Sequence, residues 1–427
     1  MKTRIKNGQM VVKDNQLAPV EIWIEEGIIK AIGTDFSSLS FDEVIDAKEQ
    51  LITPGLVDVH VHLREPGFTY KETIKAGSLA AAHGGFTTVC AMPNLNPVPD
   101  TAEKLSAIYD IIKKDAVVKV LQYAPITEEL RSEVLTDQAA LKKAGAFAFT
   151  NDGVGVQTAG TMYLAMKEAA KQKMALVAHT EDESLLFGGV MHEGAVSKKL
   201  GLPGILSSTE ASQIARDVVL AGETGVHYHV CHVSTKESVR VIRDAKKAGI
   251  NVTAEVSPHH LLLIDEDIPE DNGFWKMNPP LRGKEDRDAL IEGLLDGSID
   301  CIATDHAPHG LEEKNQSFLQ APFGIVGSET AFQLVYTHLV KPGIFTLEQV
   351  INWMSTKPAE LFHLSAGTLR VGQAADIAIF DIRNETVIDE KEFESLGVNT
   401  PFVGWNIFGE TLYTLVDGKI VWKKEEK

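Results

Sequence analysis

Eight short apolar runs, rich in valine, isoleucine and alanine, recur along the middle of the 427-residue chain, and helical stretches separate them. Strands that alternate with helices predict parallel βαβ units, and uniformly apolar strands suit a sheet whose outer face is covered. Eight such units predict an α/β fold in which the strands close into a (β/α)₈ TIM barrel. A doubly wound open sheet is the alternative, although the first strand–helix turn lacks the GxGxxG sequence of dinucleotide-binding sheets. The apolar runs are residues 56–63, 87–92, 117–126, 146–150, 175–179, 226–233, 250–256 and 299–304.

Both ends of the chain read as short strands separated by turns. Near the start, Asn7-Gly8 and Glu26-Gly27 are hairpin signals with apolar neighbours, and residues 376–380 and 411–422 have the same character. Neither end is long enough to bury a large core alone, so we expect them to pack together. The predicted organisation is a barrel at 53–362, inserted into a small β-sandwich domain whose halves are residues 1–52 and 363–427.

Charge and cysteine content exclude several classes of function. The 41 basic and 60 acidic residues give a net charge of -19, which argues against nucleic acid or an anionic membrane as the main partner. No stretch approaches the ~20 apolar residues that span a bilayer, and residues 1–10 lack the apolar region of a secretory signal. The three cysteines are few and far apart, which predicts free, buried thiols. We therefore expect a cytoplasmic enzyme.

Histidines and aspartates collect where the predicted barrel strands end, and TIM barrels carry their chemistry at that rim. The first strand ends in a His-x-His pair, whose spacing puts both imidazoles on one face. Imidazole and carboxylate groups are typical zinc ligands. This many ligands would serve two zinc ions, and a bridging water there would become hydroxide near neutral pH. The candidate ligands are His60, His62, Asp152, His179, His232 and Asp305.

Asp305 is also the candidate general base, because a carboxylate beside a hydroxide can take up its proton and pass it on. Other histidines are not expected to be metal ligands. His227 and His229 are out of phase with His232, so we expect them to face away from the ligands. The residues close to strand ends that could support the site are His259, His260 and His306.

Two motifs, DVHVHLREPG at residues 58–67 and ATDHAPH at residues 303–309 followed by Lys314, resemble those of type I dihydroorotases. These are the longer bacterial form within the amidohydrolase superfamily, and the resemblance covers essentially the whole chain. It implies reversible cyclisation of N-carbamoyl-L-aspartate to (S)-dihydroorotate in pyrimidine biosynthesis. It also implies zinc on the six candidate ligands, and a homodimer.

The resemblance further implies a set of substrate contacts. Arg64 matches the family's carboxylate-binding arginine, and a guanidinium makes bidentate hydrogen bonds to a carboxylate, as an aspartate-derived substrate requires. The segment 323–324 resembles one whose backbone touches the ring. The implied substrate-binding residues are His62, Arg64, Asn94, Asn278, His309, Phe323 and Gly324.

The fourth strand departs from many relatives, which bridge their metals there with a carboxylated lysine. Residues 145–153 read GAFAFTNDG and contain no lysine, as in type I dihydroorotases, where an aspartate replaces it. This favours Asp152, together with hydroxide, as the bridge between two zinc ions.

Several alternatives stay open at this point. One is a dihydropyrimidinase or an allantoinase, and another is a non-catalytic subunit that serves as a scaffold for a transcarbamoylase. Association of an active enzyme with aspartate transcarbamoylase is a further open question. The polar loop 310–316 is compatible with either a mobile flap or an ordinary solvated loop.

Overall fold

The computed structural model describes residues 1–425. The strands in this part of the chain are β1 (Lys2–Val12), β2 (Gln16–Glu25), β3 (Ile28–Gly33), β4 (Glu43–Asp46), β5 (Leu51–Pro54), β6 (Leu56–Val61), β7 (Phe86–Ala91), β8 (Lys119–Gln122), β9 (Phe149–Thr150), β10 (Ala175–Ala178), β11 (Met191–His192), β12 (Gly204–Ile205), β13 (His227–Val230), β14 (Val252–Val256), β15 (Cys301–Ile302), β16 (Ile377–Asp381), β17 (Thr386–Val387), β18 (Asn406–Ile407), β19 (Glu410–Val416) and β20 (Lys419–Lys423).

The α-helices of the same residues are α1 (Ile74–His83), α2 (Ala102–Asp115), α3 (Gln138–Lys143), α4 (Ala159–Gln172), α5 (Ala195–Leu200), α6 (Ser208–Thr224), α7 (Lys236–Lys247), α8 (Pro258–Leu262), α9 (Lys284–Asp296), α10 (Leu311–Lys314), α11 (Ala331–Val335), α12 (Leu347–Ile351) and α13 (Lys357–Leu361). Two π-helical segments, Tyr336–Val340 and Asn352–Thr356, continue α11 and α12. None of the helices within residues 1–425 has both the length and the apolar composition required to cross a bilayer.

Eight parallel strands form the barrel. Strands β6, β7 and β8 pair side by side, as do β9, β10, β13, β14 and β15. Parallel bridges between Ala124 and Phe149 and between Val61 and His306 join the two groups into a ring. The predicted (β/α)₈ barrel is therefore confirmed. All residues of β6 and β7 are buried, which explains the uniformly apolar runs in the sequence.

Threonine side chains begin several of the outer helices. Thr73, Thr101, Thr158 and Thr235 precede α1, α2, α4 and α7, and the hydroxyl of each accepts a hydrogen bond from a backbone N–H in the first turn. Such caps stabilise a helix by about 1 kcal/mol. Each therefore fixes the point at which the chain turns from a loop after a barrel strand into the outer layer.

The two ends of the chain share one eight-stranded sheet. Its order is β20-β19-β16-β5-β1-β2-β3, and β4 pairs with β1 in parallel. Strand β5 joins the ends, since it pairs with β1 from the start of the chain and with β16 from its final part. Ile5, Ile22, Ile377 and Ile379 are fully buried in the apolar cluster of this sheet. The domain boundaries at residues 52 and 362 stay a prediction.

The three cysteines are buried and free, as the sequence predicts.

Candidate active site

The six side chains predicted as metal ligands meet at the carboxyl-terminal end of the barrel strands. Each is buried, with 0–6% of its surface exposed. The closed ring of parallel strands brings them together, because every strand ends at the same rim. His60 lies in β6 and His62 just after it, while Asp152, His179, His232 and Asp305 follow β9, β10, β13 and β15.

The ligand atoms form two groups with Asp152 between them. His60, His62 and Asp305 make one group, and Asp152, His179 and His232 make the other. Asp152 also reaches the first group, because its Oδ1 lies 3.4 Å from His60 Nε2 and its Oδ2 lies 3.5 Å from His62 Nε2. This is the position that a bridging carboxylate would occupy.

The spacing of these atoms fits a metal centre. The ring nitrogens His179 Nδ1 and His232 Nε2 lie 3.0 Å apart, and both approach Asp152 Oδ1 at 3.8–3.9 Å. Four ligands around a tetrahedral zinc ion, each about 2.0–2.1 Å from it, stand roughly 3.3 Å from one another. Within residues 1–425, the buried His60 Nε2 and Asp152 Oδ1 have no hydrogen-bond partner. The donor set and its unpaired buried atoms therefore fit a bound metal.

The carboxylates of this site are ionised. Burial raises the pKa of Asp305, but the imidazoles of His60, His62 and His232 lower it further, to well below its usual range. The pKa of Asp152 lies well below its usual range for the same reasons, with His60 as its main electrostatic partner. Both groups are thus acceptors of protons or cations at neutral pH.

Cys231 also lies near His60 and Asp152, within a third possible ligand group. Burial, together with the charge of Glu255, raises the pKa of the Cys231 thiol far above its ordinary value. A protonated thiol is a poor ligand, because metals bind the thiolate. The group of His60, His62 and Asp305 and the group of Asp152, His179 and His232 are therefore the better metal sites.

Glu255 supports this centre and was not predicted from the sequence. Its Oε1 lies 2.6 Å from His60 Nδ1, and its Oε2 lies 3.0 Å from His229 Nε2. Burial raises the pKa of Glu255, but His60 and His229 lower it to about 2, so it is a charged acceptor. A ligand histidine commonly donates its second ring N–H to such a carboxylate. His229 belongs to neither of the two ligand groups, but it contacts the same carboxylate as the ligand candidate His60.

Three residues of the site have left-handed backbone conformations: Arg64 (φ 59°), His232 (φ 28°) and Asp305 (φ 50°). Such conformations cost about 1–3 kcal/mol each and persist where the surroundings hold them. Asp58 is one such restraint, since it accepts hydrogen bonds from the backbone N–H and the hydroxyl of Thr304, at 3.1 and 2.5 Å. The chain is thereby fixed immediately before Asp305.

Two of the predicted substrate contacts form one end of the site. Arg64 Nη2 lies 3.3 Å from His309 Nε2, and Arg64 Nε donates to the carbonyl oxygen of Pro308. His309 Nε2 also lies 2.8 Å from the carbonyl oxygen of Phe323. An arginine and a neighbouring histidine nitrogen can bind an anion between them when both carry hydrogen.

The other predicted contacts already have protein partners. Asn94 accepts from His62 Nδ1 at 2.9 Å and donates to Asp152 Oδ2 at 3.2 Å, so it orients two candidate ligands. Asn278 donates to Glu181 at 2.6 Å, and Glu181 in turn lies 3.8 Å from His179 Nε2. Asn278 therefore lies beside the second ligand group.

Gly324 lies against His309, and its conformation requires glycine. Its φ is +127°, and a Cβ there would come within 2.7 Å of the Ala307 side chain and 3.2 Å of His309 Nε2. Its backbone N–H donates to the carbonyl oxygen of Lys276.

The loop after β15 is anchored by a buried lysine. Lys314 is fully buried, and its Nζ donates to the carbonyl oxygens of Lys276, Pro322 and Gly324 at 2.8–2.9 Å. The predicted loop 310–316 contains the short helix α10, and its far end is held beside the segment that contacts His309.

The sequence alone also missed other residues around the centre. Glu181, Glu255 and Asp58 are acidic residues 0–9% exposed within or beside apolar strands. An acidic residue in an apolar strand is rarely buried without a partner, and this was the signal that could have identified them.

Comparisons with known proteins give a consistent family. Residues 49–238 match the model of the dihydro-orotase-like family, and residues 320–422 match that of the amidohydrolase family. The dihydroorotase of Enterococcus faecalis is 77% identical over 425 residues, and the alignment covers 100% of both chains. The dihydroorotase of Ligilactobacillus salivarius is 60% identical over 430 residues with the same coverage.

Solved structures share the architecture. The L-hydantoinase (dihydropyrimidinase) from Arthrobacter aurescens matches with a TM-score of 0.88 at 27% identity, over 99% of this chain and 96% of its own. A D-hydantoinase matches with a TM-score of 0.86 at 25% identity, over 99% and 95% of the two chains. Full-length identity to dihydroorotases is far higher than to these hydantoinases, and so this chain belongs to the dihydroorotase family of the amidohydrolases.

Proposed function

We propose that this protein is a zinc-dependent dihydroorotase, which catalyses the reversible cyclisation of N-carbamoyl-L-aspartate to (S)-dihydroorotate in pyrimidine biosynthesis. The observation that carries the proposal is the presence, on one rim, of six metal-type ligands and the Arg64–His309 pair of donors. The full-length identity to dihydroorotases supports the same activity.

Two zinc ions per subunit fit the donor set. His60, His62 and Asp305 would hold one ion, and His179 and His232 would hold the other, with Asp152 shared between them. Bound zinc supplies Lewis acidity, which activates water at neutral pH and polarises a carbonyl group.

Arg64 and His309, which form what we call the Arg64 end of the site, would orient the substrate. The free carboxylate of dihydroorotate would lie between Arg64 and His309, within reach of Asn94. Held in this way, the substrate would direct its ring amide carbonyl toward the candidate metal ligands at the centre of the rim. Holding the reacting groups together in this way lowers the entropic part of the barrier.

Proton transfer is assigned to Asp305, whose ionised carboxylate lies 3.1 Å from His62 Nε2. In hydrolysis, the oxygen of water bonds to the ring carbonyl carbon, and Asp305 takes the water proton. The bond from that carbon to the ring nitrogen then breaks, and Asp305 gives the proton to the leaving nitrogen. Cyclisation follows the same steps in reverse and releases water.

Substrate assays with metal analysis test the proposal. Purified protein, stripped of metal and then reconstituted with zinc, should turn over dihydroorotate, with far weaker activity on dihydrouracil, hydantoin and allantoin. Those three rings lack the carboxylate that the Arg64–His309 pair would bind. Preferred turnover of hydantoin, the substrate class of the structural relatives, would refute the assignment, and zinc-bound protein without turnover would support the scaffold alternative.

Assembly and location are further hypotheses. The family resemblance supports a cytoplasmic homodimer, and association with aspartate transcarbamoylase would be an additional property. Light scattering on the purified protein, alone and mixed with aspartate transcarbamoylase, tests both forms of assembly.

A further inference from the structure

Lys71 is a charged residue at the mouth of the site that the proposed reaction does not use. It follows the Arg64 loop and lies just before α1, and its side chain is 13% exposed. Its Nζ lies 3.1 Å from His309 Nδ1 and 3.1 Å from Glu313 Oε1. A lysine in contact with a substrate-binding histidine affects how that histidine carries its proton.

The contacts of His309 define its tautomer. A lysine ammonium has only donors, so the Nδ1 that faces it must be an acceptor, and the single proton of a neutral imidazole must then lie on Nε2. At Nε2 the carbonyl oxygen of Phe323, 2.8 Å away, can only accept, and this contact is shorter than the 3.3 Å contact to Arg64 Nη2, a donor that would favour the opposite tautomer. Glu313 Oε2 would favour a proton on Nδ1, but it lies 3.9 Å away, beyond hydrogen-bond distance.

His309 is also kept neutral. It is 5% exposed, and burial together with the charges of Arg64, Lys71 and Lys314 holds the pKa of His309 far below its ordinary value. The imidazole therefore presents one N–H, on Nε2, beside Arg64 Nη2 and the carbonyl oxygen of Phe323.

This tautomer makes the Arg64 end selective for an anion. Arg64 Nη2 and His309 Nε2 lie 3.3 Å apart, and both carry hydrogen. Two donors cannot bond to each other, so an acceptor that binds both of them satisfies both. A carboxylate has the two oxygens and the charge to do so.

We propose that Lys71 is a positioning residue for substrate recognition, whose ammonium fixes His309 as the Nε2–H tautomer that binds the substrate carboxylate beside Arg64. The inference rests on the proposed function, since it assumes that this carboxylate lies between Arg64 and His309. Without a donor at position 71, only the contact with Phe323 favours a proton on Nε2, while Arg64 favours a proton on Nδ1, a tautomer in which Nε2 repels the carboxylate.

Nitrogen NMR of the zinc-loaded enzyme with ¹⁵N-labelled histidine reads the tautomer directly. The His309 signals are assigned by their absence in His309→Gln. The wild-type enzyme and Lys71→Arg, which keeps a donor, should show a protonated Nε2 and an unprotonated Nδ1. Lys71→Met and Lys71→Gln should show a mixture of tautomers.

Kinetics provide the second measurement. Lys71→Met should raise the KM for dihydroorotate by about tenfold, the equivalent of one hydrogen bond to a charged group, and Lys71→Arg should restore most of it. The kcat, the zinc content and the inhibition constant measured for dihydrouracil, which has no carboxylate, should equal those of the wild type. Lys104→Met is the matched control, because Lys104 pairs with Asp100 at 2.7 Å outside the site.

Each outcome is informative. An unchanged tautomer in folded Lys71→Met or Lys71→Gln overturns the proposal, even if KM rises, because Lys71 would then act through its charge alone. Loss of zinc, or a decrease in kcat by as large a factor as the increase in KM, would indicate that Lys71 has a structural role. Either result would also overturn the proposal. Failure of the proposed function appears separately, as a wild-type enzyme that does not turn over dihydroorotate, and the NMR comparison does not depend on turnover.

Discussion

Glu255 Oε1 lies 2.6 Å from His60 Nδ1, and the other oxygen of the same carboxylate lies 3.0 Å from His229 Nε2. His229 Nδ1 is in turn 2.7 Å from the hydroxyl of Thr253. The ring of His60 therefore donates from Nδ1 into a buried network, and its Nε2 faces Asp152 and Asp305, 3.4 Å from an oxygen of each. The protein orients this ligand from beneath the metal site, before any metal binds.

Replacing this carboxylate should weaken metal binding. In Glu255→Gln, the amide group loses the charge and one acceptor, so we expect the affinity for zinc to fall by about 10–100-fold. Competition with a chromophoric chelator measures the affinity. Asp217→Asn is a matched control, because Asp217 is equally buried but bonds to Tyr228 and Arg216 on the outer side of β13. Equal zinc affinities in Glu255→Gln and the wild type would contradict this role.

Asp305→Asn separates proton transfer from metal binding. The amide oxygen can still lie near the ligand group, but it cannot carry a proton between water and the leaving nitrogen. We expect kcat to fall by about 10²–10⁴-fold while zinc stays largely bound. Steady-state kinetics and zinc analysis on the same preparation check the prediction. A kcat close to that of the wild type would exclude Asp305 as the proton carrier.

The barrel and the candidate ligands could be predicted because both follow from local patterns. The apolar runs mark the strands, and parallel strands in a ring place every strand end on one rim. His60 and His62 need only the two-residue repeat of a strand, and Asp152 and Asp305 need only their places after apolar runs.

The supporting contacts could not be predicted, because their partners are far apart in sequence. Glu255 is 195 residues from His60, and the sequence around Glu255 shows only an acidic residue in an apolar strand. Asn399 lies in the final part of the chain, yet it bonds to the loop after β15. No local pattern encodes such pairs, since they depend on how the chain ends pack on the barrel.

Asn399 holds the Arg64 end of the site together. Its Oδ1 accepts from the backbone N–H of His309, and its Nδ2 donates to the carbonyl oxygens of Ala307 and Gly324, all at 3.0 Å. Asn399→Ala leaves these buried groups without partners, at a cost of about 1–3 kcal/mol for each group. We expect a lower melting temperature and a KM for dihydroorotate that rises by about tenfold, with zinc content unchanged.

Thr414→Val is the control for Asn399→Ala. The Thr414 hydroxyl is buried and donates to the carbonyl oxygen of Ala82 at 2.6 Å, on the chain-end sheet and outside the rim. This variant should lower the melting temperature and leave KM unchanged. If Asn399→Ala likewise changes only the melting temperature, Asn399 has no part in positioning His309.

Asp217 predicts how stability changes with pH. It is fully buried, and burial raises its pKa from 3.8 to about 6 despite hydrogen bonds from Arg216 and Tyr228. Between these two values the folded state holds the proton more strongly than the unfolded state, so the free energy of unfolding falls as the pH rises. A shift of this size corresponds to about 3 kcal/mol, which is present below pH ~4 and lost above pH ~6.

Asp217→Asn removes this titration, because an amide stays neutral. The melting temperature of Asp217→Asn minus that of the wild type should therefore be more positive at pH 7.5 than at pH 5, by about 1–2 °C. Both proteins are compared with zinc bound, so the pH dependence of metal binding, which they share, cancels in the difference. A difference that is constant across this range would mean that Asp217 is ionised in the folded protein at both pH values, which would require its buried hydrogen bonds to outweigh its loss of hydration.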